Sequence, residues 1–404
     1  MFPPAVSAAS EVRAGVARAT FELPRGVPLA GYSRRHGRPS RGVHDPVGVR
    51  ALVITDAQTT VALVSCDLLI IDEHLFGEVR RRLLAQGLPE DLVLFLAATH
   101  THSGPGGYGE QFLEKLSMGH FDPGVFDRLA AAMTEAVIRA DHQRQPIRIG
   151  YGTTATQGLV VNRVDPHGLV DDRLIVTLFY PASVDMPLAV LVSFAAHPTT
   201  LGAWNRQLSA DYPGVLMREL ERRFPGTTAF FFAGAVGDQG PVKSGDRFER
   251  AEWVGQRLAA QASALIETVQ PESPTQVQAE QEHMRLPPPH VRLGRVVLPR
   301  WVGARLVDDD ATLSVAAVGR SLFIGVPCDL AASLGMRLKD VAAAQGVEPM
   351  IIGFANDYIG YCVSEPLYEA KQYESSMAFN GPKAGELVVD RLVQMIEQMK
   401  PSDK

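Results

Sequence analysis

Cysteine is scarce. There are three in 404 residues, Cys66, Cys328 and Cys362, an odd number at wide spacing that argues against a disulfide framework and fits a reducing compartment. No apolar run reaches the roughly 18 residues of a membrane span, which excludes a transmembrane helix. The start, Met1-Phe2-Pro3-Pro4-Ala5-Val6, lacks the basic segment and apolar core of about seven residues or more that mark a secretory signal, so the expected location is the cytoplasm. Positive charge is not in excess either: a net charge of -6 gives no reason to expect a nucleic-acid partner. Linkers, repeats and low-complexity tracts are missing, so one domain over 1–404 is the simplest division.

What is present is an ordinary hydrophobic fraction of 46%, arranged as apolar strands alternating with amphipathic helices. The pattern predicts strands at 51–55, 61–71, 93–98, 147–152, 174–180, 189–196, 228–233, 312–318, 322–326 and 350–355. It predicts helices at 72–86, 125–141, 212–224, 248–267 and 385–399, with Asp211 as the N-cap of the third. The fold class is therefore α/β, with mixed β-sheets flanked by helices.

Two of these strands end in histidine. Val93-Leu94-Phe95-Leu96-Ala97-Ala98 runs into Thr99-His100-Thr101-His102-Ser103-Gly104-Pro105-Gly106-Gly107-Tyr108, and in an extended segment His100 and His102 point to the same side. Ala189 to Ala196 runs into His197-Pro198. Neutral imidazole is the commonest metal ligand, and strand ends are where α/β folds place their sites. Gly104-x-Gly106-x-x-Gly109 formally satisfies a dinucleotide fingerprint, but Pro105 and the polar stretch beyond it argue against a phosphate-binding helix.

An ordered series of segments resembles the neutral (alkaline, non-lysosomal) ceramidases, which are zinc-dependent amidases. The series comprises Ala14 to Ala19, Gly31-Tyr32, Gly42-Val43-His44, the ten residues at 99–108, Asn162-Arg163, His197-Pro198-Thr199-Thr200, Ser209-Ala210-Asp211, Asn356-Asp357-Tyr358-Ile359-Gly360-Tyr361, Tyr368 and Tyr373-Glu374. It covers about residues 14–382. The resemblance implies the catalytic domain alone, without the family's C-terminal β-sandwich, and zinc (Zn2+) bound by His100, His197, a carboxylate and Tyr361. In Val326-Pro327-Cys328-Asp329-Leu330 the family's P-G-E glutamate is replaced by Asp329; Cys328 is a rival ligand, because thiolate also binds zinc. Adjacent residues at a strand end point to opposite faces, and the resemblance places the carboxylate on the metal side, which favours Asp329.

A second departure concerns Ala233-Gly234-Ala235-Val236-Gly237-Asp238-Gln239-Gly240-Pro241, similar to the family's G-D-V-S-P, in which the serine has been assigned a catalytic role. Gly240 stands at that position, so the implied reaction is hydrolysis of an amide by metal-activated water. His102 is the candidate proton shuttle or an orienting partner for a ligand. Arg163 is the candidate oxyanion or substrate-carboxylate group, or else the partner of Asp171 or Asp172. Arg34, Arg35, Arg38 and Arg41 read as a solvated loop. The substrate expected is a small-molecule amide, N-acyl or cyclic; an esterase or lactonase on the same site and a non-catalytic ligand-binding protein are the alternatives.

Overall fold

A computed structural model describes residues 11–293 and 296–399; the N-terminal segment read above for a secretion signal lies outside them. In chain order the first strands are β1 (Arg13–Thr20), β2 (Gly48–Thr55), β3 (Thr60–Cys66), β4 (Val93–Ala98), β5 (Gln145–Ala155), β6 (Val160–Asn162), β7 (Arg173–Pro181), β8 (Ala189–Phe194), β9 (Thr228–Ala233) and β10 (Gln239–Pro241). Eight of them form one sheet in the order β4-β3-β2-β1-β5-β7-β8-β9, while β6 and β10 make a separate ribbon. Only the two outer pairs, β3 with β4 and β8 with β9, are parallel. These strands read as unbroken apolar runs because both of their faces are covered.

Outside the sheet lie α1 (Glu73–Ala85), α2 (Phe112–Met118), α3 (Pro123–His142), α4 (Asp211–Arg223) and α5 (Glu249–Ile266). Asp72 starts α1 by accepting from the Leu75 amide at 2.7 Å, and Leu75, Phe76, Val79 and Leu83 form its buried stripe. Helix α3 lies so close to β1 that a Cβ on Gly15 would sit 2.2 Å from the Ala140 carbonyl oxygen, which explains a glycine inside a strand.

The second half supplies β11 (Val277–Arg285), β12 (Arg292–Leu293), β13 (Val296–Val297), α6 (Arg300–Gly303), β14 (Asp310–Val318), β15 (Ser321–Val326), β16 (Asp329–Leu330), α7 (Ala332–Ala344), β17 (Glu348–Gly353), β18 (Tyr361–Cys362), α8 (Glu365–Glu369), α9 (Tyr373–Ser376) and α10 (Ala384–Gln398). A four-stranded sheet, β11-β14-β15-β17, contains the third parallel pair, β15 with β17. Phe323, Met350 and Ile352 from it pack with Leu52, Phe95, Leu191, Phe230 and Phe232 of the large sheet in one apolar cluster.

The large sheet curls strongly. Ser65 Oγ of β3 donates to the Phe231 carbonyl of β9 at 2.7 Å, although five strands separate them in the sheet order. Strand β17 then bridges both ends: Ser193 of β8 donates to its Ile351 carbonyl, and just beyond it Asn356 exchanges hydrogen bonds with Leu96 of β4. The carboxyl ends of the parallel pairs of these two sheets thus meet at one place, which no single sheet-edge pattern in the sequence specifies.

Several expectations need correction. The 61–71 strand stops at Cys66, and β11 and the short helix α2 were not anticipated. Asp211 is not an N-cap; it lies inside the first turn with φ 57°, held by bonds from Leu201 N, Tyr212 N and the Thr200 hydroxyl to its carboxylate. The glycines of the would-be fingerprint serve packing instead: a Cβ on Gly106 would lie 2.2 Å from the Met118 carbonyl oxygen, and one on Gly109 would strike the Met118 and Glu114 side chains. Among the described residues no helix is long and apolar enough to cross a membrane.

Lys339 of α7 forms a buried pair with Asp171 at 2.5 Å, and Arg173 reaches the same carboxylate at 2.8 Å. Burial opposes the Asp171 charge, but Lys339 and Arg173 outweigh it and hold the carboxyl below the usual carboxylate range. The pair stands behind the site, because the Asp171 amide donates to Gln239 Oε1 and the Gln239 carbonyl accepts from the His197 amide. Asp171→Ala strands a buried ammonium and is expected to destabilise the fold by about 3–5 kcal/mol. Because the folded-state pKa is depressed, the contribution is present above the unfolded pKa and lost as pH falls through the folded value. Denaturant titration of both proteins checks it, and a difference under about 1 kcal/mol would remove the pair from the stability argument.

Candidate metal centre

His100 follows β4, His197 follows β8, Asp329 follows β15, and Tyr361 lies eight residues beyond β17. The structure brings all four side chains, with His102, to one buried place. His100 is not extended: its φ is 63°, a left-handed conformation that a histidine adopts at a cost of about 1–3 kcal/mol. It is held there by stacking on Phe354, with ring centroids 3.7 Å apart and planes 4° from parallel. The rings of His100 and His102 therefore converge through a kinked backbone and not through strand alternation; their Nε2 atoms are 3.3 Å apart.

The hydrogen bonds fix the tautomers. His100 Nδ1 lies 2.6 Å from the Leu69 carbonyl and His197 Nδ1 lies 3.1 Å from the Val236 carbonyl. A carbonyl only accepts, so both Nδ1 atoms carry the proton and both Nε2 atoms present bare lone pairs. Those two Nε2 atoms face each other at 2.9 Å. Protonating one ring would relieve the clash of lone pairs, but burial pushes the His100 pKa down to about 3 and those of His102 and His197 well below the usual value.

Asp329 completes the cluster. Its Oδ2 accepts from the Tyr358 hydroxyl at 2.7 Å. Its Oδ1 is buried without a hydrogen-bond partner and lies 3.6 Å from His100 Nε2 and 3.4 Å from His197 Nε2. Burial raises its pKa to about 7, against the pull of Tyr358 and Arg163. Three ring nitrogens within 4.8 Å of one another and an orphaned carboxylate oxygen form a donor set that fits a metal cation and little else.

Cys328 points the other way, into an apolar cluster with Leu330, Ile324 and Cys362. The parallel register of β16 and β18 pairs Asp329 with Tyr361 and Leu330 with Cys362, so carboxylate and phenol share one side and thiols the other. Burial raises the Cys328 thiol well above its usual pKa.

Arg163 reaches neither Asp171 nor Asp172. Its Nη2 donates to the Tyr361 hydroxyl and to the Gly237 carbonyl, both at 2.8 Å, and its Nε lies 3.2 Å from the buried Glu374. Burial weakens its charge, but Tyr361, Asp329 and Glu374 outweigh that and keep it protonated. Asp238 is structural: its Oδ1 accepts from the Ala332 amide at the start of α7 and its Oδ2 from Asn162. A Cβ on Gly240 would come no nearer than 3.9 Å to Arg163, so a side chain has room there and the glycine simply lacks a hydroxyl.

Of the arginine loop, Arg34, Arg38 and Arg41 are exposed as expected, but Arg35 is buried. It donates to the carbonyls of Ala30 and His102, at 2.8 and 2.6 Å, and lies over the Tyr32 ring, which in turn rests against His102. Nothing in its local sequence separates Arg35 from its neighbours. Tyr358 and Glu374, by contrast, stand in the quoted tyrosine motifs, where a role could have been read.

A cavity of about 100 Å³ opens onto this centre, lined by His100, His102, Asp329, Tyr358, Tyr361 and Tyr373 and, on another wall, by Gln111, Glu114 and Asp308. Fold and site together define an α/β protein with a buried cluster of three histidines that could hold a metal ion, beside a carboxylate, at the carboxyl ends of its parallel strands. The chain belongs to the neutral/alkaline non-lysosomal ceramidase family, whose N-terminal model matches residues 15–236.

Neutral ceramidase of Pseudomonas aeruginosa is 27% identical over 272 residues, an alignment that spans 61% of this chain and 40% of that protein. Neutral ceramidase of Drosophila melanogaster is 22% identical over 96% of this chain and 74% of its own length, and that of Mycobacterium tuberculosis 26% identical over 51% and 34%. The crystal structure of the Pseudomonas aeruginosa protein superposes with a TM-score of 0.86 at 22% identity, covering 98% of this chain and 76% of that one, which establishes the shared fold.

Proposed function

We propose that this protein is a zinc-dependent hydrolase of a small amide, with zinc held by His100, His197, Asp329 and Tyr361. The observation that carries the reading is the 2.9 Å approach of two bare imidazole nitrogens beside a partnerless carboxylate oxygen, an arrangement that repels itself without a cation. Bound there, zinc would acidify a water and polarise the scissile carbonyl.

The protein's own groups supply the rest. Desolvation of its ring keeps His102 neutral, which leaves a nitrogen lone pair for the proton released on attack and later returned to the departing nitrogen. Arg163, locked by Glu374 and the Gly237 carbonyl, donates to the Tyr361 oxygen and sets its positive charge beside the place where negative charge develops on the carbonyl oxygen. Tyr358 fixes the orientation of Asp329. Gly240 offers no nucleophile, so water attacks directly.

A cavity of about 100 Å³, lined by Leu113, Leu306, Val307 and Phe379 as well as by Glu114 and Asp308, suits a short amide better than a two-chain lipid by its size. Three buried, unpaired cysteines support a cytoplasmic location. The test compares kcat/KM of the zinc-loaded protein for a short-chain ceramide in detergent and for water-soluble N-acyl compounds, with a chelated control. Turnover is expected only with metal, and in favour of the soluble compounds by about tenfold, equivalent to about 1.4 kcal/mol. A tenfold preference for ceramide would overturn the substrate assignment, and an acyl group trapped on the protein in a quenched single turnover would overturn the direct attack of water.

A further inference from the structure

The wall of the cavity built by α2 and the segment after α6 carries carboxylates that the proposed hydrolysis does not use. Glu114 and Asp308 line the same cavity as His100 and His102. Gln111 ties them together: its side chain donates to Asp308 Oδ2 at 2.7 Å and its amide to Glu114 Oε2 at 2.8 Å. Asp72 lines the adjoining cleft with Glu114. One Asp72 oxygen caps α1; the other, Oδ2, is buried and has no hydrogen-bond partner.

The charges around these groups are of one sign. Burial raises the Glu114 carboxyl to about 8, and Asp72, Asp308 and Glu110 push it the same way. Asp72 rises to about 7, again through burial and then through Glu110, Asp308 and Glu73. The basic groups at the rim, His74 and Arg81, lie on the exposed side, turned to Glu110 at 3.6 Å and to Glu78 at 2.8 Å. Such a wall repels a carboxylate, while Leu113, Leu306 and Val307 beside the acidic groups give the alkyl stem of a charged end group a surface to lie on.

We propose that Glu114, Asp308 and Asp72 form an ammonium subsite: the substrate carries a protonated amine at its far end, which settles among these carboxylates while its amide lies at the histidines. The assignment rests on the amide-hydrolase reading and adds the substrate class to it. An organic ammonium suits the wall better than a metal ion. Among the described residues, the three ligand atoms that approach one another within 4.8 Å are those of the histidines. An ammonium, by contrast, donates to oxygens about 3 Å away on several sides.

The test uses zinc-loaded protein and mono-acetamides of linear diamines of increasing length, each beside its neutral n-alkyl isostere and its ω-carboxylate counterpart. At the best length the ammonium compound is expected to exceed the neutral one in kcat/KM by about tenfold, the carboxylate to be poorest, and the preference to shrink as salt is raised. Glu114→Gln and Asp308→Asn are expected to bring the ratio of ammonium to neutral substrate toward one. Equal kcat/KM for both compounds in the native protein, or a preference that survives both substitutions, would overturn the subsite. If no acetamide is hydrolysed, the hydrolase reading fails separately. Calorimetric binding of the same series then decides the subsite, with the same ranking expected and equal affinities overturning it.

Discussion

His100→Ala and His197→Ala are each expected to reduce bound zinc from close to one equivalent per chain to a small fraction, and amide hydrolysis with it. Each histidine supplies one of two Nε2 lone pairs fixed by a backbone carbonyl on the opposite ring nitrogen, at Leu69 and Val236. Losing the metal forfeits the drop in water pKa from about 16 to about 7, and the rate is expected to fall by about 10⁴-fold or more. Elemental analysis beside steady-state kinetics checks both. His100→Asn is a companion variant, because asparagine tolerates the left-handed backbone at φ 63° better than alanine does. Asp329→Ala should behave like the histidine variants, whereas Cys328→Ala, altering a side chain in the apolar cluster, should keep its zinc. A full equivalent of metal in both histidine variants would sink the centre as drawn.

His102→Ala is expected to keep the zinc and lose about 10²- to 10⁴-fold in kcat, the range for a positioned proton-transfer group. His102 lines the cavity and is only half-buried as a residue, while its backbone carbonyl is gripped by the buried Arg35. That grip holds the ring against Tyr32 and beside His100, where a departing nitrogen can reach it. The pH–rate profile of the variant should lose the limb that reports the shuttle, and small exogenous imidazoles should restore part of the rate. Loss of zinc together with rate would instead make His102 a ligand, an arrangement that its 3.3 Å distance to His100 Nε2 also permits.

The amino-acid sequence by itself determined the strand ends. Unbroken apolar runs such as Val93 to Ala98 and Ala189 to Phe194 read as covered strands, and each runs out toward a histidine. Alternation at Cys328-Asp329 was also local, since neighbouring residues in extended backbone must face opposite ways, and the structure puts the thiol in the core and the carboxylate at the histidines. The curl of the large sheet was not local. It brings β3 against β9 through Ser65 and Phe231 and so carries His100 and His197 to within 2.9 Å.

The kink at His100 escaped for the same reason, because its left-handed backbone is stabilised by Phe354, a residue 254 positions away, and not by its own neighbours. Arg35 looked like one of four solvated arginines until tertiary structure placed two backbone carbonyls on its guanidinium. Arg163 found Glu374 and Tyr361 instead of Asp171, whose charge Lys339 had taken up. Periodicity and chemical type are properties of a segment and can be read along it. The partner of a buried charge and the approach of two strand ends are set by how sheets curl and pack, and those depend on residues hundreds of positions apart.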